Sequence, residues 1–311
     1  MPKKVDKYLV ELMNASGSDL HLPSASPPMI RVHGSLERTN NPPFTSEQVR
    51  EMALEILSQE EQEILFEETN VDFVYEMDDP SAKMTRFRTN IFFQKNGLNI
   101  VFRGIPQKIP TLRDLGLPET LVKMIKHHQG MILVTGPSGC GKTATLAALI
   151  NLINERYSHH IITVEEPIEY VHESKCSLIV QREVKKDVDR FSTALKASLR
   201  EDPDIIMVGE MRDLETIQMA ITAAETGHLV FATLHTNGAI STINRIIDAF
   251  PLDQQSQIRT MFSESLKGVV SQQLIPRLDG KGRIVACEVL HTNSSISNLI
   301  RDNKTLQIFS M

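Results

Sequence analysis

The sequence predicts an α/β protein in two parts. A smaller mixed α/β domain spans residues 1–105, a linker spans 106–118, and a larger domain on a mainly parallel sheet spans 119–311. Three observations predict it. Short strand and helix patterns, with one hairpin signal, fill the first hundred residues. Pro106 and Pro110 then interrupt any regular element. Beyond them, strands that are apolar throughout alternate with amphipathic helices, the pattern of a parallel sheet covered on both faces.

The elements follow in order. Residues 3–14 are expected to form a short helix with Val5, Leu9 and Leu12 on one side. Ser18–Leu22 and Met29–His33 read as strands around a proline-rich turn, Pro23 to Pro28. Thr45 and Gln48 are spaced as a capping box. Behind them Val49, Met52, Ala53, Ile56 and Leu57 recur at helical spacing. Ser58 and Glu61 start a second helix, whose Glu60, Glu61, Glu63, Glu67 and Glu68 read as a solvated face. Val71–Met77, Arg86–Gln94 and Leu98–Gly104 read as strands, with Asn96-Gly97 as a hairpin turn. In the larger domain the strands are Met131–Thr135, Ile161–Val164, Ile205–Val208, Leu229–Leu234 and Ile284–Leu290. Leu146, Leu149, Ile150 and Ile153, and then Leu214, Ile217 and Ile221, mark helices between them.

Composition excludes several classes. Of 311 residues, 41% are hydrophobic and 23% charged, so the chain can bury a sizeable core and is neither disordered nor a disulfide scaffold. No run reaches the ~18 apolar residues of a membrane-spanning helix. The basic start, Met1 to Lys7, has no apolar region behind it, so export is not expected. Cys140, Cys176 and Cys287 form no CxxC pair, which suits a reducing compartment. A net charge of −6 disfavours nucleic acid as the main partner. The absence of Trp and an aromatic content of 5% argue against base stacking.

The chemistry begins at Gly136-Pro137-Ser138-Gly139-Cys140-Gly141-Lys142-Thr143, followed by Ala144. This matches G-x-x-x-x-G-K-[ST] in full, with an apolar strand before it and an amphipathic helix behind it. Glycines let backbone N–H groups turn inward around phosphates, and the helix N-terminus adds partial positive charge. Lys142 is expected to reach the β/γ-phosphates and the Thr143 hydroxyl to coordinate Mg²⁺. Cys140 reads as a tolerated small residue, with a redox switch as the alternative.

Two apolar strands end in acids. Ile205 to Val208 leads through Gly209 to Glu210, and Ile161 to Val164 leads to Glu165 and Glu166. Carboxylates from such strand ends, facing Lys142, suit the sharing of metal and water duties. Helix capping or a surface pair is the other reading of Glu165 and Glu166. His228 and His235 flank the strand Leu229–Leu234, and taken singly such histidines read as structural. Zinc is not expected, because the cysteines supply no matching ligand cluster.

These residues together resemble a known family. GPSGCGKT, ITVEEPIEYVH, DPDIIMVGEMRD and GHLVFATLHTN resemble the Walker A, Asp-box, Walker B and His-box motifs of the type II/type IV secretion ATPases. The similarity runs from about Lys7 to Ile308. Within that superfamily the chain resembles the PilT-like retraction ATPases of type IV pili. SDLHL at Ser18–Leu22 and PPMIRVHG at Pro27–Gly34 resemble their short N-terminal domain. Gln273 to Val289 has no room for the paired-CxxC zinc insert of pilus-assembly and type II secretion relatives. Ser295 to Arg301 resembles the retraction motif AIRNLIRE, although Ser297 replaces its Arg and Glu166 replaces the usual Asp of the Asp box. The chain also ends about ten residues after Arg301, where family members continue.

The resemblance implies a RecA-like P-loop ATPase domain preceded by a PAS-like domain. It implies Mg²⁺-dependent ATP hydrolysis by a homo-hexamer that is cytoplasmic and peripheral to the inner membrane through protein partners. The ring would dock on the inner-membrane platform protein of the pilus machinery and power retraction, hence twitching motility. By motif, Glu210 resembles the catalytic base or water-orienting residue, and Glu165 the Asp-box residue near Mg²⁺ and water. His228 and His235 resemble γ-phosphate sensors or couplers. Arg88 and Arg103 match segments whose arginines reach a neighbouring subunit's nucleotide; a surface or intradomain ion pair is their alternative. Two rival functions remain: a pilus-assembly or secretion ATPase, and a weakly hydrolysing accessory subunit that joins a related ATPase paralog.

Overall fold

The structure, a computed structural model, describes residues 2–32, 34–78, 85–105, 108–279 and 282–310, and every structural statement below is made of these. His33 at the end of the second expected strand, and Pro106 and Gln107 of the expected linker, lie outside them. The chain divides into two compact units, Met1–Lys108 with Asp279–Gly282, and Ile109–Leu278 with Arg283–Met311.

In the first unit, α1 (Asp6–Asn14) precedes β1 (Asp19–Pro23), β2 (Met29–Val32) and β3 (Ser35–Arg38). Helices α2 (Ser46–Ile56) and α3 (Gln59–Glu68) follow, then β4 (Asn70–Glu76), β5 (Arg86–Gln94) and β6 (Gly97–Ile105). The sheet has the order β3-β2-β1-β6-β5-β4 and is antiparallel throughout. Both capping boxes form: the Thr45 and Ser58 hydroxyls accept from the backbone of Gln48 and Glu61, whose side chains reach back.

Side chains alternate across the strands, so the cross-strand row Phe73, Thr89, Phe102, Leu20 and Ile30 is buried under the helices. Leu9 and Leu12 of α1, Val49 and Ala53 of α2 and Leu65 of α3 are fully buried there. Burying each larger apolar side chain contributes about 1.5–3 kcal/mol. The adjacent row, on the other face, holds Val74, Arg88, Arg103, Asp19 and Arg31.

Two details differ from expectation. The hairpin turn is Lys95-Asn96, one residue earlier than expected, and Gly97 already pairs with Gln94. Gly97 has φ +127°, and a Cβ there would sit 2.8 Å from Ser24 Oγ and 2.9 Å from the Ser46 Cβ. Glycine is therefore needed for the close approach after the turn. Strand β3 was not expected, because all four of its residues are exposed and it joins the sheet through backbone pairing alone.

The second unit contains β7 (Gly130–Thr135), α4 (Lys142–Arg156), β8 (His160–Glu165), β9 (Leu178–Glu183), α5 (Phe191–Ser198) and β10 (Ile205–Val208). Then come α6 (Leu214–Glu225), β11 (Leu229–Leu234), α7 (Ala239–Asp248), α8 (Gln255–Ser265), β12 (Leu266–Pro276), β13 (Arg283–His291) and α9 (Ser294–Arg301). The order is β13-β12-β7-β11-β10-β8-β9, parallel except for β13. Central strands are buried on both faces. Met131 and Leu133 pack with α6, α7 and α8, whereas Ile132 and Val134 pack with α4 and the turn of 3₁₀ helix Glu119–Lys126.

Ile284–Leu290, expected among the apolar parallel strands, is instead part of the antiparallel edge strand β13, half of it exposed. Its partner β12 carries Lys267, Ser271, Gln272 and Gln273, and edge strand β9 carries Gln181, Arg182 and Glu183. That polarity hides both strands from an apolar-run criterion.

Candidate active site

Strand β7 delivers the chain at Thr135 to the loop Gly136–Gly141, and α4 begins at Lys142. Gly136, Gly139 and Gly141 have φ of +140°, +73° and +93°. At Gly136 a Cβ would also lie 2.1 Å from the Gln272 carbonyl oxygen, so no other residue fits. Pro137, Ser138 and Gly139 are exposed and Gly141 to Ala144 half-buried, which leaves the loop open to solvent. The N-terminus of α4 has no side-chain cap. Its partial positive charge therefore stays available to an anion.

Lys142 Nζ donates to the carbonyls of Gly136 (2.9 Å) and Pro137 (3.2 Å) and lies 3.4 Å from His235 Nδ1. On the other side of that ring, Nε2 is 2.8 Å from Glu210 Oε1. An ammonium has only donors, so Nδ1 faces it as the acceptor and Nε2 carries the proton toward Glu210. Glu210 Oε2 accepts from Arg212 Nη2 at 2.8 Å. Burial pushes the Glu210 carboxyl up, but Arg212, His235 and Lys142 together outweigh it and hold it below the usual range. The result is an ionised carboxylate, aimed and half-buried, in the chain Lys142–His235–Glu210–Arg212. Gly209 makes this possible: a Cβ there would be 3.2 Å from the Val164 carbonyl and 3.3 Å from the Glu165 Cα.

Glu165 differs. At the end of β8, adjacent to β10, it is 5% exposed, and its Oε1 accepts from Thr163 Oγ1 (2.7 Å) and Gln181 Nε2 (3.1 Å). Burial raises its pKa to about 7 against the pull of those bonds, with Glu169 and Glu183 adding to the rise. Lys142 is among the charges that hold Glu210 ionised. Glu166 pairs with Lys185 at 3.1 Å, the surface-pair reading.

This environment has a consequence for stability. An acid whose folded pKa lies above its ordinary value of 4.5 binds more protons when folded, so stability falls as pH rises from about 4.5 to about 7. Glu165→Gln keeps an acceptor for Thr163 and Gln181 and removes the titration. It is expected to unfold at a higher temperature than the parent at pH 8, by up to ~3 kcal/mol of stability, and to match it near pH 5. Calorimetric melts across that range check this; equal pH dependence in both proteins would refute the buried-acid assignment.

His228 is a correction. The structure puts it just before β11, where Leu229 pairs with Gly130, while His235 follows the other end, where Leu234 pairs with Thr135 beside the loop. Six strand residues at about 3.3 Å each separate them by roughly 20 Å. His228 Nδ1 instead faces the carbonyl of Ala223 (3.0 Å) and Thr226 Oγ1 (3.3 Å) at the end of α6. The structure therefore places it away from the phosphate loop, because β11 is extended and its two ends lie at opposite ends of the parallel strands.

In the first unit Arg103 Nε donates to Asp19 Oδ1 at 2.7 Å, and Arg31 Nε lies 3.8 Å from Asp19 Oδ2. Burial acts to raise the pKa of Asp19, but Ser18, Arg103 and Arg31 outweigh it and keep the carboxyl ionised. Arg103 remains 63% exposed, and Arg88 lies directly opposite it on β5. Sequence reasoning passed over Asp19, the Arg212–Glu210 pair and Gln272. Asp19 lies inside the SDLHL segment and Gln272 has no motif signal of its own; each is placed by strand pairing.

Among the described residues no group of three or more His, Cys, Asp and Glu could hold a metal. Thr143, beside Lys142 in the first turn of α4, and the ionised Glu210 nonetheless fit a Mg²⁺ held largely by phosphate oxygens and water.

Comparison with known proteins agrees with this geometry. The profile of the type II/IV secretion system protein family matches residues 1–307. The chain is 48% identical to the type IV pilus retraction ATPase PilT of Pseudomonas aeruginosa, over 94% of this chain and 84% of that one. It is 48% identical to a twitching motility protein of Neisseria gonorrhoeae, over 91% of this chain and 75% of that one. A crystal structure of the pilus retraction motor PilT with bound ADP superposes with a TM-score of 0.91 at 45% identity, covering 100% of this chain and 89% of that one. With a compatible phosphate loop, an oriented carboxylate and a match over nearly its whole length, the chain belongs to the type II/IV secretion system protein family of ATPases.

Proposed function

We propose that the protein is the Mg²⁺-dependent ATP-hydrolysing motor of a type IV pilus machine and drives pilus retraction. The observation that carries the chemistry is the chain Lys142–His235–Glu210 at the uncapped start of α4. The near-complete similarity to pilus retraction ATPases carries the role.

In this reading ATP places its phosphates in the loop from Gly136 to Gly141 and against Lys142, Thr143 and Ala144. Lys142 exchanges the carbonyls of Gly136 and Pro137 for the β/γ-phosphates. That exchange also takes the ammonium from His235, whose Nδ1, an acceptor, then meets the attacking water. Glu210 orients that water, and Glu165 supports the same strand-end region from its buried position. The Thr143 hydroxyl and Glu210 would hold a Mg²⁺, partly through water, and that ion would supply charge neutralisation for the transferring group. Arg88 and Arg103 of the N-terminal domain, residues 1–105, complete the site of a neighbouring copy whose ATPase domain is residues 119–311, with 106–118 as the linker.

The motor then works as a homo-hexamer. We place it in the cytoplasm, docked on the pilus platform protein at the inner membrane; no helix among the described residues is long and apolar enough to cross a membrane. Ser297, where retraction relatives carry Arg, favours a second reading as an accessory subunit of another ATPase. Steady-state hydrolysis by the purified protein alone separates the two.

The site reading is tested at Lys142. Lys142→Ala is expected to lose ATP binding by roughly 100-fold or more, since a charge-assisted contact is removed where phosphate charge is concentrated. Titration calorimetry measures it, and parental affinity in the variant would sink the phosphate-site assignment.

A further inference from the structure

Gln272 sits on β12 one residue past Ser271, which pairs with Thr135 at the end of β7. Its side chain is 2% exposed and both ends are engaged. Nε2 donates to the Cys140 carbonyl at 2.7 Å, and Oε1 accepts from Thr145 Oγ1 at 2.9 Å. Its backbone carbonyl lies against Gly136, which only glycine allows. A single residue thus touches the loop at its start, near its end, and in the first turn of α4.

The bond to Cys140 bears on phosphate chemistry. A phosphate loop attracts anions because its N–H groups face inward, so the carbonyls of the same peptides must face outward. The Cys140 carbonyl and the Gly141 N–H belong to one rigid plane. Gly141 has φ +93°, and a glycine takes up either sign of φ with little steric cost. This peptide therefore has little of its own to stop it from rotating. Rotated, it would present an oxygen to the phosphates in place of a donor. The rotation would also leave the buried Gln272 Nε2 without an acceptor, which is unfavourable.

We infer that Gln272 is a positioning residue for nucleotide phosphates: it locks the Cys140–Gly141 peptide with its N–H toward the bound anion. The inference rests on the phosphate-loop reading above and names what keeps that loop in its binding form.

Three variants test it in the full chain, with thermal melts to establish folding. Gln272→Leu removes both hydrogen bonds at similar volume. Gln272→Glu keeps the acceptor for Thr145 and sets an oxygen against the Cys140 carbonyl. Thr145→Val removes only the other bond. ADP and adenosine are titrated against each. Gln272→Leu and Gln272→Glu are expected to weaken ADP by roughly 10- to 100-fold, the scale of one charge-assisted hydrogen bond. Adenosine, which has no phosphate, should bind as it does to the parent, and Thr145→Val should stay within about threefold for ADP, having kept the Cys140 bond. A folded Gln272→Leu with parental ADP affinity overturns the inference, as does an equal loss for ADP and adenosine, which marks a purely structural role. If Lys142→Ala binds ADP normally, the phosphate-loop reading fails instead; if it does not and Gln272→Leu does, only the lock fails.

Discussion

Arg103→Ala is expected to bind ATP and hydrolyse it roughly 10³- to 10⁵-fold more slowly than the parent, the contribution of an arginine that neutralises charge on a transferring phosphoryl group. Within the ATPase domain the arginine beside the site, Arg212, is already bonded to Glu210 Oε2 and holds that carboxylate. Arg103 is held by Asp19 through Nε and stays largely exposed, so its guanidinium is oriented yet accessible. If it serves a neighbouring copy, Arg103→Ala and Glu210→Ala fail in different halves of the shared site. Mixing the two inactive proteins should then recover part of the activity, with recovery depending on subunit exchange and falling on dilution. Mixed rings that form but stay inactive would assign Arg103 to the ion pair with Asp19 alone.

Glu210→Ala is expected to bind Mg-ATP with near-parental affinity and to lose about 100-fold or more in kcat, the scale of a positioned acid–base group. The phosphate cradle, built by Gly136 to Thr143, is untouched by this change. Because the Glu210 carboxyl is held below its ordinary range, it stays ionised throughout neutral pH. Its own titration should therefore not appear in a kcat profile between about pH 6 and 8; with this lowered pKa, any loss belongs to more acidic solution. A single-turnover assay measures the step, and unchanged kcat would move the water-orienting role to another group. Glu165, with a pKa near 7, is the first candidate.

Much of the fold was legible from local rules. The two capping boxes, the helix behind Thr45 and the central strands β7, β10 and β11 follow from patterns that any neighbour would leave intact. Strands β3, β9 and β12 were not legible. β3 and β9 are partly polar edge strands and β12 carries the buried polar Ser271 and Gln272, so the place of each is decided by the backbone of the strand beside it.

The site divides the same way. By itself the sequence determined the phosphate loop, the acid after β10 and the family, because a glycine-rich turn between an apolar strand and a helix has few other uses. Only the tertiary structure decided which groups meet. It joined His235 to Lys142 and Glu210, and it sent His228 to the opposite end of β11. It buried Glu165 until its carboxyl titrates near neutrality, and brought Gln272 under the loop across 132 residues of chain. A motif records residue types and spacing along the chain. Distance, burial and the direction of a strand are set by what packs beside it, and those decide whether a histidine stands beside the phosphate loop or at the end of a helix.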